Sequence, residues 1–157
     1  MQRLNFKEYS FRFKKIDDKL FIFDEIRKKF VALQPEEWVR QHVIRFLIEE
    51  KKVPKSLINV EKEITINGLV KRYDIVVFSR NGNILLAVEC KAPTIQISQA
   101  VFDQIARYNL MLKSEILMIT NGLSHYFCQT DYEKGKYLFL KELPEYDFLT
   151  KMKEDKD

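Results

Sequence analysis

Apolar residues dominate two neighbouring stretches in the centre of the chain, and these stretches predict a β-hairpin. Residues 73–78 and 84–90 are rich in β-branched, aromatic and aliphatic side chains, which favour strands. Asn81-Gly82 lies between them, and this dipeptide between two apolar runs is a strong short-range signal for a hairpin turn. We therefore expect two antiparallel strands at the centre of the fold.

Three charged residues interrupt these apolar strands. Asp74 and Glu89 lie seven residues before and seven residues after the Asn-Gly turn, so pairing around the turn brings the two carboxylates close together. Side chains alternate across a strand, so Glu89 and Lys91 share one face while Cys90 points to the other as a small core residue. Buried charges are usually paired or hold a metal. The arrangement predicts a site for a hard divalent cation.

The periodicity elsewhere predicts one α/β (α+β) domain, with a mixed central sheet flanked by helices. The first helix is expected to begin at Gln34-Pro35 and to run to about Glu50, and the second over residues 97–112. An N-terminal β-hairpin is expected over residues 11–23, and a short helix after Leu143. The remaining strands are expected over residues 57–66, 69–78, 115–120, 124–128 and 136–140. The domain is expected to span residues 1–150, followed by a charged tail at 151–157 that frays.

The first helix carries acids whose orientation decides their role. At 100° per residue its core stripe consists of Val39, Val43, Phe46 and Leu47. Glu36 falls within that stripe, Arg40 lies at its edge, and Glu37 falls to one side. One interpretation is helix capping and compensation of the helix dipole by both acids. The other is that Glu36 points into the site and Arg40 steadies it. Trp38 is expected to pack against the N-terminal hairpin.

Composition narrows the function classes only slightly. The 157 residues are enough for one full core, and 27 basic against 23 acidic residues give a net charge of +4, which is compatible with a polyanionic partner. Two cysteines form no ligand cluster or disulfide framework, and neither a membrane-length apolar run nor a signal peptide is present, so a cytoplasmic protein is expected. Several basic residues could contact phosphates, although a solvated face explains them as well: Lys14, Lys15, Arg27, Lys28, Lys29, Lys51, Lys52, Lys55, Lys71 and Arg72.

The chemistry of the central charges points to metal-assisted phosphodiester hydrolysis. Asp74 and Glu89, supported by the backbone carbonyl of Cys90, could bind one or two Mg²⁺ ions, which keep several waters and accept phosphate oxygens. Lys91 is placed to orient the attacking water or to stabilise the anionic transition state. The spacing of the two acids and the lysine is weak evidence by itself. It gains weight because an acid-bearing helix precedes it and a helix with Gln104 and Tyr108 at i, i+4 follows.

In these features the sequence resembles the PD-(D/E)xK nuclease superfamily, and within it the N-terminal nuclease domain of type I restriction enzyme R subunits. The resemblance extends from about Phe23 to about Gln129. It implies a restriction-endonuclease-like core with the order helix, three strands, helix, strand. The stretches that carry it are residues 35–41, 67–75, 89–93, 104–109 and 120–122.

The resemblance also implies roles for individual residues. Asp74 and Glu89 would bind Mg²⁺, or Mn²⁺ in its place, with Glu36 as the helix acid and Lys91 as the catalytic lysine. Gln104 and Tyr108 match a Gln-x-x-x-Tyr feature of some members that helps to hold the site or the DNA. Tyr73 replaces the proline of the motif name. Further DNA contacts are assigned to Arg40, Arg72 and Glu37.

One departure from R subunits changes the expected function. The chain has no Gly-x-x-x-x-Gly-Lys-Ser/Thr phosphate loop, so it is not expected to translocate DNA by itself. We expect a Mg²⁺-dependent DNA endonuclease, with a separate helicase or specificity subunit or a homodimer as candidate partners. The alternatives are a DNA-binding module that does not cut and a nuclease subunit that cuts only with its partners.

Overall fold

The computed structural model describes residues 1–155, apart from the side chain of Met111, and contains two sheets and three α-helices. The smaller sheet is antiparallel and consists of β1 (Phe13–Ile16), β2 (Lys19–Asp24) and β3 (Lys29–Ala32). The larger sheet contains, in spatial order, β4 (Ile58–Ile66), β5 (Leu69–Phe78), β6 (Ile84–Cys90), β7 (Ile116–Thr120), β8 (His125–Asp131) and β9 (Lys136–Leu140). The helices are α1 (Pro35–Glu49), α2 (Gln99–Leu112) and α3 (Tyr146–Glu154).

The larger sheet is mixed, as the sequence predicts. Strands β6 and β7 pair in parallel, and α2 makes the crossover between them, while the other neighbouring pairs are antiparallel. The order α1, β4, β5, β6, α2, β7 therefore confirms the expected core of helix, three strands, helix and strand. Helix α1 begins at Pro35 and ends at Glu49, within one residue of its predicted end.

Helices cover both faces of the larger sheet. Helices α1 and α3 pack on one face, where Val43 and Leu149 join the apolar residues of β5, β6 and β7. Helix α2 packs on the other face, where Phe102 and Ala106 contact the same strands from the opposite side. Because both faces are buried, the central strands are almost continuously apolar, and any charge on them is unusual.

The register of the β5–β6 hairpin places the two predicted acids opposite each other. Ser79 N–H donates to the Asn83 carbonyl at 2.8 Å, so the turn is a three-residue loop rather than the predicted two-residue turn. An irregularity between Val77 and Phe78 compensates for the extra loop residue. Beyond it Ile75 pairs with Val88, and the next position along each strand brings Asp74 opposite Glu89.

The N-terminal hairpin prediction is incomplete, because the structure has three strands there. Strands β1 and β2 pair from Phe13 with Ile22 to Ile16 with Lys19, and β3 adds to the other edge of β2. The stretch from Lys29 to Ala32 was expected only to lead into the core, since its apolar run is short. It forms a strand because β2 offers it a free edge.

The charged tail predicted from residue 151 is wrong for its first residues. Helix α3 continues to Glu154, because Leu149 is fully buried and Met152 packs against the core. Residues 156 and 157 of the predicted tail lie outside the described residues. Over residues 1–155, no helix is long and apolar enough to cross a membrane.

The N-terminal segment closes over α1 and β8 through two histidines. His42 is 6% exposed, contacts the rings of Phe6 and Trp38, and its Nδ1–H donates to the Trp38 carbonyl at 2.8 Å. His125 lies 2.7 Å from the Asn5 carbonyl through Nε2. Neither ring faces the predicted site. Trp38 contacts Phe11 and Phe13, which confirms its predicted packing against the N-terminal strands.

Burial of these two histidines predicts loss of stability at acid pH. Burial lowers the pKa of His42 and of His125, although a backbone hydrogen bond opposes the shift in each case. As pH falls through about 6.5, the unfolded chain gains protons that the folded protein does not take up. The free energy of unfolding should therefore decrease, by about 1 kcal/mol for each histidine whose pKa is one unit low.

Urea unfolding of the wild type and of His42→Gln between pH 5 and pH 8 measures this effect. The difference in unfolding free energy between the two proteins should become smaller as pH falls, because only the wild type carries the His42 penalty. Lys136→Gln, at an exposed lysine, serves as the control and should follow the wild type in parallel. A pH-independent difference for His42→Gln would contradict the prediction.

Candidate metal and phosphodiester site

The Asp74 carboxylate lies at the centre of the candidate site and is held through both of its oxygens. Arg40 Nη2 donates to Oδ1 at 2.7 Å, and the Cys90 backbone N–H donates to Oδ2 at 2.8 Å. The Asp74 side chain is 12% exposed. A side chain of β5 is thus hydrogen-bonded to the backbone of β6, in agreement with the predicted pairing of these strands.

Glu89 lies beside Asp74 in a more strongly buried position. Its residue exposure is 8%, and its Oε1 atom has no hydrogen-bond partner among the described residues. Burial, and then the charge of Asp74, raise the pKa of Glu89 to about 8, while Lys71 and Lys91 act in the opposite direction. A carboxylate with a buried, unpartnered oxygen and a raised pKa is an environment that a cation would stabilise.

Tyr73 precedes Asp74 on β5 and is also buried. It is 3% exposed, and burial followed by the charge of Glu89 raises the pKa of its hydroxyl to about 12. The residue that replaces proline in the motif therefore serves as packing. It belongs to the apolar cluster under α2 rather than to the group of polar side chains.

A chain of buried ion pairs links Asp74 to the smaller sheet. Arg40 Nη1 donates to Glu37 Oε1 at 2.9 Å, and the same oxygen accepts from Arg27 Nη2 at 2.8 Å. Arg27 Nε in turn donates to Asp24 Oδ2 at 2.7 Å, and Asp24 is fully buried. The alternation of acid and base leaves each buried charge compensated, which such charges require. Sequence reasoning missed Asp24 and expected Arg27 to contact phosphate or solvent, because Glu37, which Arg27 binds, lies ten residues further along the chain.

This chain corrects the roles predicted for Arg40 and Glu37. Both were assigned to DNA contacts, but each is only 7% exposed, and they bind each other and Asp74 or Arg27. Burial disfavours the charged form of Arg40, yet its hydrogen bond to Asp74 and the charge of Glu37 raise its pKa. The described geometry therefore makes Arg40 a residue that positions Asp74.

Glu36 does not lie in the core stripe of α1, contrary to the helical-phase prediction. Its side chain is 48% exposed, whereas the buried acid of this turn is Glu37. Glu36 nevertheless borders the site, at 3.6 Å from Arg40 Nη2. Burial, and then the charge of Asp74, raise its pKa, while Arg40 and Lys91 oppose the shift. Glu36 therefore stands at the rim, close enough to influence the site electrostatically.

Lys91 follows directly after β6 and is half-buried. Its backbone N–H donates to the Thr120 carbonyl at 2.8 Å, which fixes the main chain at the end of the strand. Among the described residues, its ammonium group has no carboxylate within 4.0 Å, although its charge acts on Glu36 and Glu89. Cys90 is 2% exposed and packs in the core under α1, as predicted.

The remaining predicted residues occupy exposed positions. Gln104 is exposed on α2, and Tyr108 is 38% exposed. Lys71 Nζ lies 4.6 Å from the centre of the Tyr108 ring, a contact that sequence reasoning did not anticipate. Arg72 is exposed and pairs with Glu63 at 3.2 Å. The structure thus brings Tyr108 toward the site through Lys71, while Gln104 and Arg72 face solvent.

The site offers Mg²⁺ two carboxylate ligands and not a complete set of protein ligands. Over residues 1–155, no group of three His, Cys, Asp or Glu side chains is gathered closely enough to hold a metal ion. Asp74 and Glu89 are adjacent, and Mg²⁺ commonly takes one or two carboxylates while keeping several waters. The unpartnered Glu89 Oε1 provides the observation that favours a cation at this position.

This chain is similar to one protein family and to a solved structure. The family described as Type I restriction enzyme R protein N terminus (HSDR_N) matches residues 35–144, which is more than half of the chain. A solved fragment of a putative HsdR subunit of a type I restriction enzyme from Vibrio vulnificus YJ016 matches with a TM-score of 0.54 and 25% sequence identity. The match covers 77% of this chain and only 25% of that chain. No curated protein matches.

Proposed function

Because the chain belongs to the family of type I restriction enzyme R protein N termini, we propose that it is a Mg²⁺-dependent DNA endonuclease. The family relates the chain to restriction enzymes. The site of this activity would contain Asp74, Glu89 and Lys91. The single observation that carries the proposal is the adjacent pair of buried carboxylates, one of which has an unpartnered oxygen, next to a half-buried lysine. A surface hairpin has no reason to bury two acids together.

The residues of the site have separable roles in this proposal. Asp74 and Glu89 would hold the metal with the Cys90 carbonyl, and Arg40 keeps Asp74 in position. The metal, when bound, would acidify a water and neutralise charge on the phosphate. Lys91 orients the attacking water and stabilises the anionic transition state. Water adds to phosphorus, the bond to the leaving sugar oxygen breaks, and that oxygen takes up a proton.

The remaining residues from sequence reasoning have supporting roles in the proposal. Glu36 at the rim would bind a water of the metal, because its exposed carboxylate is too far out to complete a group of three side chains. Gln104 and Arg72 would contact the DNA backbone from exposed positions, and Tyr108 would do so beside Lys71. Mn²⁺ is expected to replace Mg²⁺, since both accept oxygen donors in similar geometry.

Cleavage of supercoiled plasmid by the purified chain tests the proposal. Nicking should occur with Mg²⁺ or Mn²⁺ and stop with EDTA, and Lys91→Met should lower the rate by about 100-fold or more. Lys136→Met, which removes an exposed lysine on β9, serves as the matched control and should cut like the wild type. Absence of metal-dependent cutting, or equal cutting by Lys91→Met, would overturn the proposal.

A second candidate, a DNA-binding module that does not cut, is favoured by one observation. Both Asp74 oxygens already accept hydrogen bonds from Arg40 and from Cys90, which would compete with a metal. This candidate predicts DNA binding that is equal in Mg²⁺ and in EDTA, together with no cleavage. A nuclease subunit that works with a separate motor or specificity protein predicts cleavage only after those proteins are added. Neither comparison supports the homodimer considered from sequence.

A further inference from the structure

The outer face of the smaller sheet carries aromatic and basic side chains together. Phe23 lies directly opposite Phe30 in the β2–β3 ladder, and Lys14 lies opposite Phe21 in the β1–β2 ladder. Since directly opposed residues share a face, these side chains point to the same side, away from the buried Ile22. We name this surface the basic aromatic face, and its members are Arg12, Lys14, Lys19, Phe21, Phe23 and Phe30.

Two of the three cations of this face, Arg12 and Lys14, lie over its aromatic rings. The Arg12 guanidinium carbon lies 4.5 Å from the centre of the Phe23 ring and 5.7 Å from that of Phe30. Lys14 Nζ lies 5.6 Å from the centre of the Phe30 ring. Cation–π contacts of this kind hold the charged groups in place while leaving their N–H donors available. Phe21, Phe23 and Phe30 are themselves only half-buried.

The surrounding stretch carries most of the net charge of the protein. Residues 11–33 contain seven basic and four acidic residues, a net charge of +3 out of +4 for the whole chain. Within residues 1–155, no carboxylate lies within 4.0 Å of the charged groups of the exposed cations in this stretch. These cations are Arg12, Lys14, Lys15, Lys19, Lys28 and Lys29. Two exposed acids, Asp17 and Asp18, accompany these six cations, so the patch is mainly positive, which favours an anionic partner.

The smaller sheet is fixed next to the candidate site rather than attached loosely. Arg27, in the turn between β2 and β3, contacts Glu37 at 2.8 Å and Glu61 at 3.3 Å. Glu37 is bound to Arg40, which holds Asp74. These ion pairs therefore hold the sheet that carries the basic aromatic face in a fixed position relative to Asp74. The family match begins at residue 35 and does not include this sheet.

We propose that the basic aromatic face binds the phosphate backbone of DNA and guides it to the site at Asp74 and Glu89. This inference rests on the proposed function, because both take DNA as the ligand. Phosphate contacts by lysine and arginine position a protein on DNA without reading its sequence. Half-exposed phenylalanine rings next to these cations also provide a stacking surface for bases of an unpaired strand.

Fluorescence anisotropy in EDTA, which prevents cleavage, tests the inference with a labelled 24-base-pair duplex and a labelled dT 24-mer. The test variant combines Arg12→Gln, Lys14→Gln and Lys19→Gln. The matched control combines Lys113→Gln, Lys134→Gln and Lys136→Gln. It also removes three exposed charges, but these lie at the end of the larger sheet that is farthest from the Cys90 end of β6. Thermal unfolding of both variants verifies that they fold, since all six positions are exposed.

The test variant should bind the duplex about tenfold more weakly than the wild type at 0.1 M salt, while the control changes by less than about twofold. Its plot of log affinity against log salt concentration should become shallower by about 2–3, because three phosphate contacts are lost. A loss that is larger for the dT 24-mer would assign the face to an unpaired strand, and a larger loss for the duplex would assign it to paired DNA.

Three outcomes would overturn the inference. They are wild-type affinity in the test variant, an equal loss in the control, and loss of binding to phosphatidylserine vesicles with no change for DNA. The proposed function fails separately, if the wild type does not cut or if Lys91→Met cuts normally. Loss of DNA binding in the test variant without any cleavage by the wild type would support this inference and reject the nuclease.

Discussion

Replacing Arg40 with methionine is expected to lower the free energy of unfolding by about 3–5 kcal/mol. Arg40 donates to Glu37 at 2.9 Å and to Asp74 at 2.7 Å, and all three side chains are largely buried. Methionine retains the apolar stem but removes the charge, which leaves two acids without this partner. Chemical denaturation at pH 7, followed by circular dichroism, measures the change.

Two further variants separate lost pairing from general damage to α1. Arg45→Met removes an arginine from the same helix whose side chain is 20% exposed and pairs with Glu25 and Glu49, and it should cost about 1 kcal/mol or less. Adding Glu37→Gln to Arg40→Met should restore part of the lost stability, since the buried acids of this group outnumber its one remaining arginine, Arg27. The explanation fails if Arg40→Met and Arg45→Met cost the same, or if Glu37→Gln makes the first variant less stable.

Glu89→Gln is expected to stabilise the protein while it removes activity. In EDTA at pH 7, the substitution should raise the free energy of unfolding by about 1–3 kcal/mol, because it removes a buried acid with an unpartnered oxygen beside Asp74. If the nuclease proposal is correct, cleavage should fall by about 100-fold or more, since one of the two metal-binding carboxylates is lost. Thermal unfolding and plasmid nicking measure the two effects on one preparation.

The matched control for this variant is Glu63→Gln, on the neighbouring strand β4. The Glu63 side chain is 59% exposed and pairs with the exposed Arg72 at 3.2 Å, so its loss should change stability by less than about 0.5 kcal/mol and leave cleavage intact. A destabilised Glu89→Gln protein would show that Glu89 contributes more to the fold than its unpartnered oxygen indicates. Such a result would remove the argument for a cation at this position.

The central part of the fold could be predicted because its signals are local. The Asn81-Gly82 turn, the apolar strands on either side of it, and the proline at the start of α1 each act over a few residues. The proximity of Asp74 and Glu89 follows from these signals alone. The expectation that Lys91 shares the face of Glu89 rests on the alternation of side chains along a strand.

The features that sequence reasoning missed depend on partners that are distant along the chain. Helical phase places Glu36 in the core stripe, but Glu37 is the buried acid, because Arg27, which lies ten residues before it, binds it. Strand β3 is short, and it forms because it pairs with the second edge of β2. Helix α3 extends past Lys151 because Leu149 and Met152 reach the core. In each case tertiary contacts override a weak local preference.

The tip of the β5–β6 hairpin can rearrange without moving the acids. In the observed pairing, Phe78 lies opposite Ile84, and the irregularity then restores Val77 opposite Leu86. A regular two-residue turn at Asn81-Gly82 would place Phe78 opposite Leu85 and would also leave Val77 opposite Leu86. The same residues therefore allow two conformations of the tip with one register at Asp74 and Glu89, so conformational exchange at the loop leaves the pairing of the two acids unchanged.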